Sequence, residues 1–264
     1  MIQQRYSILC AMKMIDTHCH LDFDAFSADR DAVTGRARDA GVHGFVIPAV
    51  QRVTWDNLVK LCESSSDYFC ALGLHPVFIG HHQNSHLEEL KKYISRHQPV
   101  AVGEIGLDFY DRKQIDRQTE IFEAQLSIAC DTHLPVILHV RKAHEEVLAC
   151  LKKFRPKAGI VHAFNGSMQQ AERYLQYNFK FGFGGMLTYE RSTKLRGLAS
   201  ELPLETIVLE TDSPDMTVEQ HRGERNSPEY LPYCLQALAE IRKMQPEEIA
   251  KITTGNAQQA LGLA

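Results

Sequence analysis

The chain has 264 residues, 44% of them hydrophobic and 23% charged, with a formal net charge of -4. That balance suits a globular protein with a large core, and it excludes a protein that coats nucleic acid through bulk positive charge. A nucleic-acid substrate would have to be held at a local site. No apolar run approaches the roughly 18 residues of a membrane span, and the opening "MIQQRYSILCAMKM" lacks the layout of a signal peptide. The seven cysteines are scattered, with no C-x-x-C. They read as reduced thiols of a cytoplasmic protein, with no membrane association and no sign of an obligate protein partner. Met12 and Met14 allow a later start, which would make residues 1–13 a loose extension of a single domain over 1–264.

Short apolar, β-branched runs recur in order: "MIDTH" (14–18), "GFVIPAV" (44–50), "FCALGL" (69–74), "VAVGEIG" (100–106), "PVILHV" (135–140), "GIVHAF" (159–164), "FKFGFGG" (179–185) and "TIVLET" (206–211). Most are continuous rather than alternating in hydrophobicity, as strands buried on both faces are. Amphipathic stretches lie between them: 27–40, 54–62, 85–96, 117–132, 142–154, 167–177 and 191–200, then 229–244 and a last helix from Pro246. The fourth puts Ile121, Phe122, Gln125, Ile128 and Ala129 on one stripe. Eight strands alternating with helices predict a (β/α)8 TIM-type barrel. An open, doubly wound sheet is the alternative with the same pattern.

The ionisable residues fall at particular places in this pattern. In "IDTHCHLD", His18 and His20 stand at i and i+2, on one face of a strand, and Cys19 points away. His75 follows the third run, Glu104 lies near the end of the fourth, His139 and His162 near the ends of the fifth and sixth, and Asp212 just past the eighth. Barrel chemistry is built at the C-terminal ends of strands, so these residues are predicted to converge. A lone strand histidine is more often a packed core residue than a ligand. The histidine pair with Glu104, His139, His162 and Asp212 at matching strand ends favours a metal. Imidazole and carboxylate donors suit Zn2+, Mn2+ or a similar divalent ion. Six ligands exceed one four-coordinate site, so two ions sharing Glu104 are expected, with Asp212 also receiving a proton from water. Asp16 reads as structural support and Asp22 as a supporting group in the following loop. His81, His82 and His86 sit in a polar stretch and are expected to contact solvent; His43, His97, His133, His144 and His221 lack the strand-end placement. "GFGG" (182–185) reads as a tight strand end rather than a phosphate loop.

At these residues the chain resembles the TatD family of metal-dependent hydrolases, a branch of the amidohydrolase-like barrels. The matching segments are "IDTHCHLD", "ALGLHP", "VGEIGLDFY", "LPVILHVRKAHEEVL", "VHAFNGS", "VLETDSPDM" and "NSPEYLP", in the family's order from about residue 14 to 233. "GSMQQAERYL" and "GGMLTY" resemble its YjjV-like subgroup. The resemblance implies a binuclear site with His18, His20, Glu104, His139, His162 and Asp212 as metal ligands. Asp212 and Glu104 would be catalytic, and His75, Asp108 and Arg141 near the substrate. The cofactors implied are two divalent ions, Zn2+ first, with Mn2+ or Mg2+ as alternatives. The activity implied is a deoxyribonuclease, 3′–5′ exonuclease-like, with DNA single strands or ends as substrate. The same site could instead hydrolyse a small amide, lactone or phosphoester, or persist as a non-catalytic metal-binding module. "HAFNG" departs from the family pattern in placing Ala163 where glycine is common, and "TTGNAQQALGL" lacks the usual terminal aromatic.

Overall fold

A computed structural model describes residues 13–110 and 112–263; apart from Lys13, the expected N-terminal extension lies outside them. Eight parallel strands form one sheet in chain order: β1 (Met14–Asp16), β2 (Val42–Pro48), β3 (Tyr68–Leu72), β4 (Ala101–Asp108), β5 (Val136–Arg141), β6 (Gly159–Val161), β7 (Phe179–Phe183) and β8 (Ile207–Leu209). The helices are α1 (Arg30–Asp39), α2 (Trp55–Glu63), α3 (Asn84–His97), α4 (Ile115–Asp131), α5 (His144–Phe154), α6 (Met168–Leu175), α7 (Thr193–Glu201), α8 (Leu231–Arg242) and α9 (Pro246–Leu261). The architecture is the (β/α)8 barrel that the alternation predicts. No helix among the described residues is long and apolar enough to cross a membrane, and the described cysteines are thiols.

By contacts the chain divides into two compact units, one of residues up to Ile47 with Phe181–Gln258 and one of Pro48–Lys180 with Gln259 onward. In the first, β1 pairs with β2 and β7 with β8. The segment after β1 also runs beside the segment after β8: Thr17 N–H donates to the Leu209 carbonyl at 3.1 Å, and Cys19 bridges Ser213 in parallel register. The first and last strands are therefore neighbours, which an open doubly wound sheet does not allow. In the second unit β3, β4, β5 and β6 pair in turn. All eight residues of β4 are buried, the consequence of a strand covered on both faces and the reason its run shows no alternation.

Several boundaries differ from the sequence reading, and two of them bear on the site. Regular strand geometry in β1 ends at Asp16, so His18 and His20 lie just beyond it, on backbone held by the Cys19–Ser213 bridge. The helix expected from Lys142 starts at His144 because Lys142 takes a left-handed backbone, φ 55°. The expectation of a strand end at "GFGG" holds. β7 stops at Phe183, and a side chain at Gly182 would overlap the Glu210 carboxylate.

Candidate active site

In the first unit three donors converge. The Nε2 atoms of His18 and His20 stand 3.3 Å apart, and each lies within 3.8 Å of Asp212 Oδ1 (3.8 and 3.7 Å). Tetrahedral bonds of about 2.0–2.1 Å place ligand atoms roughly 3.4 Å apart. The trio therefore has the chemistry and spacing of a divalent-cation site: two imidazole nitrogens aimed at one another beside a carboxylate. His18 is fully buried, His20 stacks on Phe23 at 4.5 Å, and Asp212 keeps 17% of its side chain exposed.

A buried carboxylate holds this trio in place. Asp16 Oδ1 accepts from Thr211 N–H (2.9 Å) and His18 N–H (3.3 Å), and Oδ2 accepts from the Thr211 hydroxyl (2.6 Å). Asp212 N–H donates in turn to the His18 carbonyl at 2.8 Å. Asp16 thus ties the chain before Asp212 to the chain at His18, the support role read from sequence. Burial pushes its pKa up to about 8, against the pull of the Thr211 and His18 hydrogen bonds. Asp212 sits at φ 57°, a conformation that aspartate tolerates better than most residues. Asn226, which the sequence reading passed over, caps the segment by donating to the carbonyls of Thr211 and Asp215 (2.8 and 2.6 Å). Asp22, expected as a supporting group, is desolvated, which pushes its pKa up to about 6.

In the second unit Glu104 is the centre. Its Oε1 lies 3.2 Å from His75 Nε2 and 3.2 Å from His139 Nδ1. The three donors form a group that fits a cation. His75, expected only as a substrate contact, stands as close to the Glu104 carboxylate as His139 does. The other nitrogen of His139 meets Asp108 Oδ2 at 3.0 Å, the carboxylate–imidazole pairing that fixes a metal-binding histidine's tautomer and orientation. Burial lowers the His139 pKa, but the hydrogen bonds to Asp108 and Glu104 outweigh it and hold it above the ordinary value. Asp108 also accepts from Tyr110 N–H at 3.0 Å and approaches Arg141 at 3.9 Å. Against its burial, the His139 hydrogen bond first, then Tyr110 N–H and the Arg141 charge, hold its carboxyl below the usual range. His162 follows β6 and lies buried in the same unit.

This cluster is clamped by amides. On α4, Gln118 accepts from Asp108 N–H (2.8 Å) and donates to the Asp108 carbonyl (3.0 Å). Gln125, two turns on, does the same to Leu74 (2.7 and 3.1 Å), the residue before His75. Sequence reasoning placed Gln125 on an apolar stripe and overlooked Gln118; a polar residue on a buried face is the signal that marks such a clamp. Gly106 is required here. Its φ is 149°, and a Cβ would overlap the His139 carbonyl, so β4 and β5 could not approach at the donors.

Several expectations for the remaining histidines are corrected or explained. His82 is buried, not solvated. Its Nε2 bonds the His75 carbonyl at 2.8 Å, and burial pulls its pKa down to about 4. The polar neighbours suggested a surface loop, but the turn after β3 folds His82 back under His75. His144 is likewise buried, between Tyr174 Oη (3.0 Å) and Asn165 (3.2 Å). Cys19 points away from its neighbours, toward the Val46 carbonyl at 3.6 Å. Ala163 stands at φ 43°, which is why glycine is common at that position.

A model of the family described as TatD related DNase matches residues 15–262. The chain belongs to the TatD family. It is 41% identical over 248 residues to the metal-dependent hydrolase YjjV of Escherichia coli K12, covering 92% of this chain and 96% of that one. It is 33% identical over 259 residues to the 3′-5′ ssDNA/RNA exonuclease TatD of Pantoea ananatis, covering 95% and 100%. The crystal structure of E. coli YjjV superposes with a TM-score of 0.91 at 40% identity, over 95% of this chain and 98% of that one. Both donor clusters fall inside the span matched to the family.

Proposed function

We propose that this TatD-family chain is a metal-dependent hydrolase of phosphodiester bonds, a deoxyribonuclease acting 3′–5′ on DNA single strands or ends. His18, His20, Glu104, His139, His162 and Asp212 are its metal ligands, holding two divalent ions with Glu104 shared between them. Zn2+ fits the donor set best, and Mn2+ or Mg2+ could substitute. The observation that carries the reading is donor convergence, with two histidine nitrogens and a carboxylate oxygen within 3.8 Å in one unit. A second group of two histidines around Glu104 in the other unit supports it. Relatives named 3′-5′ ssDNA/RNA exonuclease support a nucleic-acid strand as the substrate class.

When bound, such ions supply Lewis acidity at a phosphate oxygen and bring the pKa of water near neutrality. The chain's own groups do the rest. Asp212, partly open to solvent, accepts the proton of the attacking water. As the bond from phosphorus to the leaving strand oxygen breaks, that proton is returned to the leaving oxygen. Arg141 donates to a non-bridging phosphate oxygen, and His75, whose Nδ1 accepts from Val77 N–H and whose Nε2 faces Glu104, positions that carboxylate beside the substrate. Asp108 holds the His139 ring. Incubation of end-labelled single-stranded DNA with metal-loaded protein and with Glu104→Ala tests the reading. The wild type shortens the strand from its 3′ end and the variant does not; equal cleavage by both overturns it.

A further inference from the structure

Beside the second cluster lies a feature that neither set of donors uses. Tyr110 is 58% exposed, although most large apolar side chains among the described residues are buried. Two cations sit over its ring, Arg141 with its guanidinium carbon 3.9 Å from the centroid and Lys142 with its ammonium 4.8 Å away. Tyr110 and Lys142 also border a cavity of about 260 Å3, lined with them by Phe109, Arg112 and Glu146. Lys142 reaches it from a left-handed residue, φ 55°, that separates β5 from α5. Asp108 anchors the feature to the donor cluster, because its carboxylate accepts from Tyr110 N–H, approaches Arg141 and bonds His139. Tyr110 is thus one side chain removed from a proposed metal ligand.

We propose that Tyr110, Arg141 and Lys142 form a nucleotide subsite of the nuclease, resting on the reading above. A base of the substrate strand stacks on the Tyr110 ring, and Arg141 and Lys142 hold the phosphates on either side of that nucleotide. An exposed ring flanked by cations is the arrangement by which proteins take single strands without reading sequence: the ring accepts the face of any base, and the cations track the backbone. Glu146 adds an acceptor at the cavity wall. The subsite explains how a chain of net charge -4 engages a polyanion, through local cations rather than an overall positive field. It favours an unpaired strand, since a base within a duplex has no free face to stack.

Steady-state cleavage of a 5′-labelled hexathymidylate by the full metal-loaded chain tests this. Stacking is worth about 1–3 kcal/mol per base, so Tyr110→Ala raises KM by about 5- to 150-fold, with a smaller change in kcat. Tyr110→Phe, which keeps the ring, restores the wild-type KM. Lys142→Ala lowers the slope of log(kcat/KM) against log salt by about 0.7, one phosphate contact on a single strand. A Tyr110→Ala enzyme that cleaves with a KM within twofold of wild type overturns the subsite and leaves the nuclease reading standing. A wild-type enzyme that leaves the hexathymidylate intact overturns the nuclease reading, and the subsite with it.

Discussion

The two donor clusters are built differently. Beside β1 and β8 the donors stand on irregular backbone past the ends of three-residue strands, and a buried carboxylate, Asp16, holds them through Thr211 and His18. Beside β4 and β5 the donors lie on or next to longer strands, β4 wholly buried but with its register to β5 shifting between Val102 and Ile105 at Glu104, and two neutral glutamines of α4 clamp the backbone. A short strand gives its terminal residues few ladder bonds, so a side chain must supply the missing order. A longer strand supplies more ladder bonds of its own on either side of its donors, so less is asked of any one side chain. The first cluster is therefore expected to depend most heavily on Asp16, with Asn226 as the lesser support, whereas the second shares its support between two glutamines.

The sharpest way to break this contrast is Asp16→Ala. It leaves Thr211 N–H, the Thr211 hydroxyl and His18 N–H without their acceptor, and each unsatisfied buried group costs about 1–3 kcal/mol. We expect a loss of about 3–5 kcal/mol in denaturant unfolding, together with loss of metal; a loss below about 1 kcal/mol would show that Asp16 carries little of the support. Gln118→Ala and Gln125→Ala come next, at about 1–3 kcal/mol each. Because the clamps grip different strand ends, the double variant should lose close to the sum. A double variant no worse than the singles would make the two glutamines one unit.

His82 offers a comparison by pH. Its folded pKa, about 4, lies below the ordinary histidine value of 6.5. The unfolded chain therefore binds a proton that the folded chain refuses. The stabilising contribution is fully present above pH 6.5 and is lost as pH falls toward 4. Unfolding measured across that window should show this decline, and His82→Gln should flatten it; an unchanged slope would place His82 outside the effect. The smallest expected change is Ala163→Gly. It relieves the left-handed backbone after His162 at some cost in unfolded-chain entropy, and we expect a gain of up to about 1 kcal/mol in thermal or denaturant unfolding. A loss would contradict the strain.

The contrast also explains what could be read from the sequence. The strands were legible because their two-sided burial writes continuous apolar runs, and the donors because they fall at the ends of those runs. Asp16 was legible as support because it flanks the histidine pair. The glutamine clamps were not: Gln125 meets Leu74 across 51 positions, and nothing in either segment records the pairing. His82 was misread because local polarity describes its neighbours and not the turn that buries it. Lys142 was absorbed into a helix because a left-handed residue leaves no mark in a hydrophobic pattern. Interactions that follow chain periodicity are visible in the sequence, and those set by meeting across the fold are not.

The central claim is that the six donors hold divalent metal for hydrolysis. Elemental analysis of the protein purified without chelator or added metal tests it most directly. The account predicts about two divalent ions per chain in the wild type, and a clear fall in Glu104→Ala, whose missing carboxylate serves both. A wild type with no tightly bound divalent ion, or a variant that keeps the full complement, would contradict it.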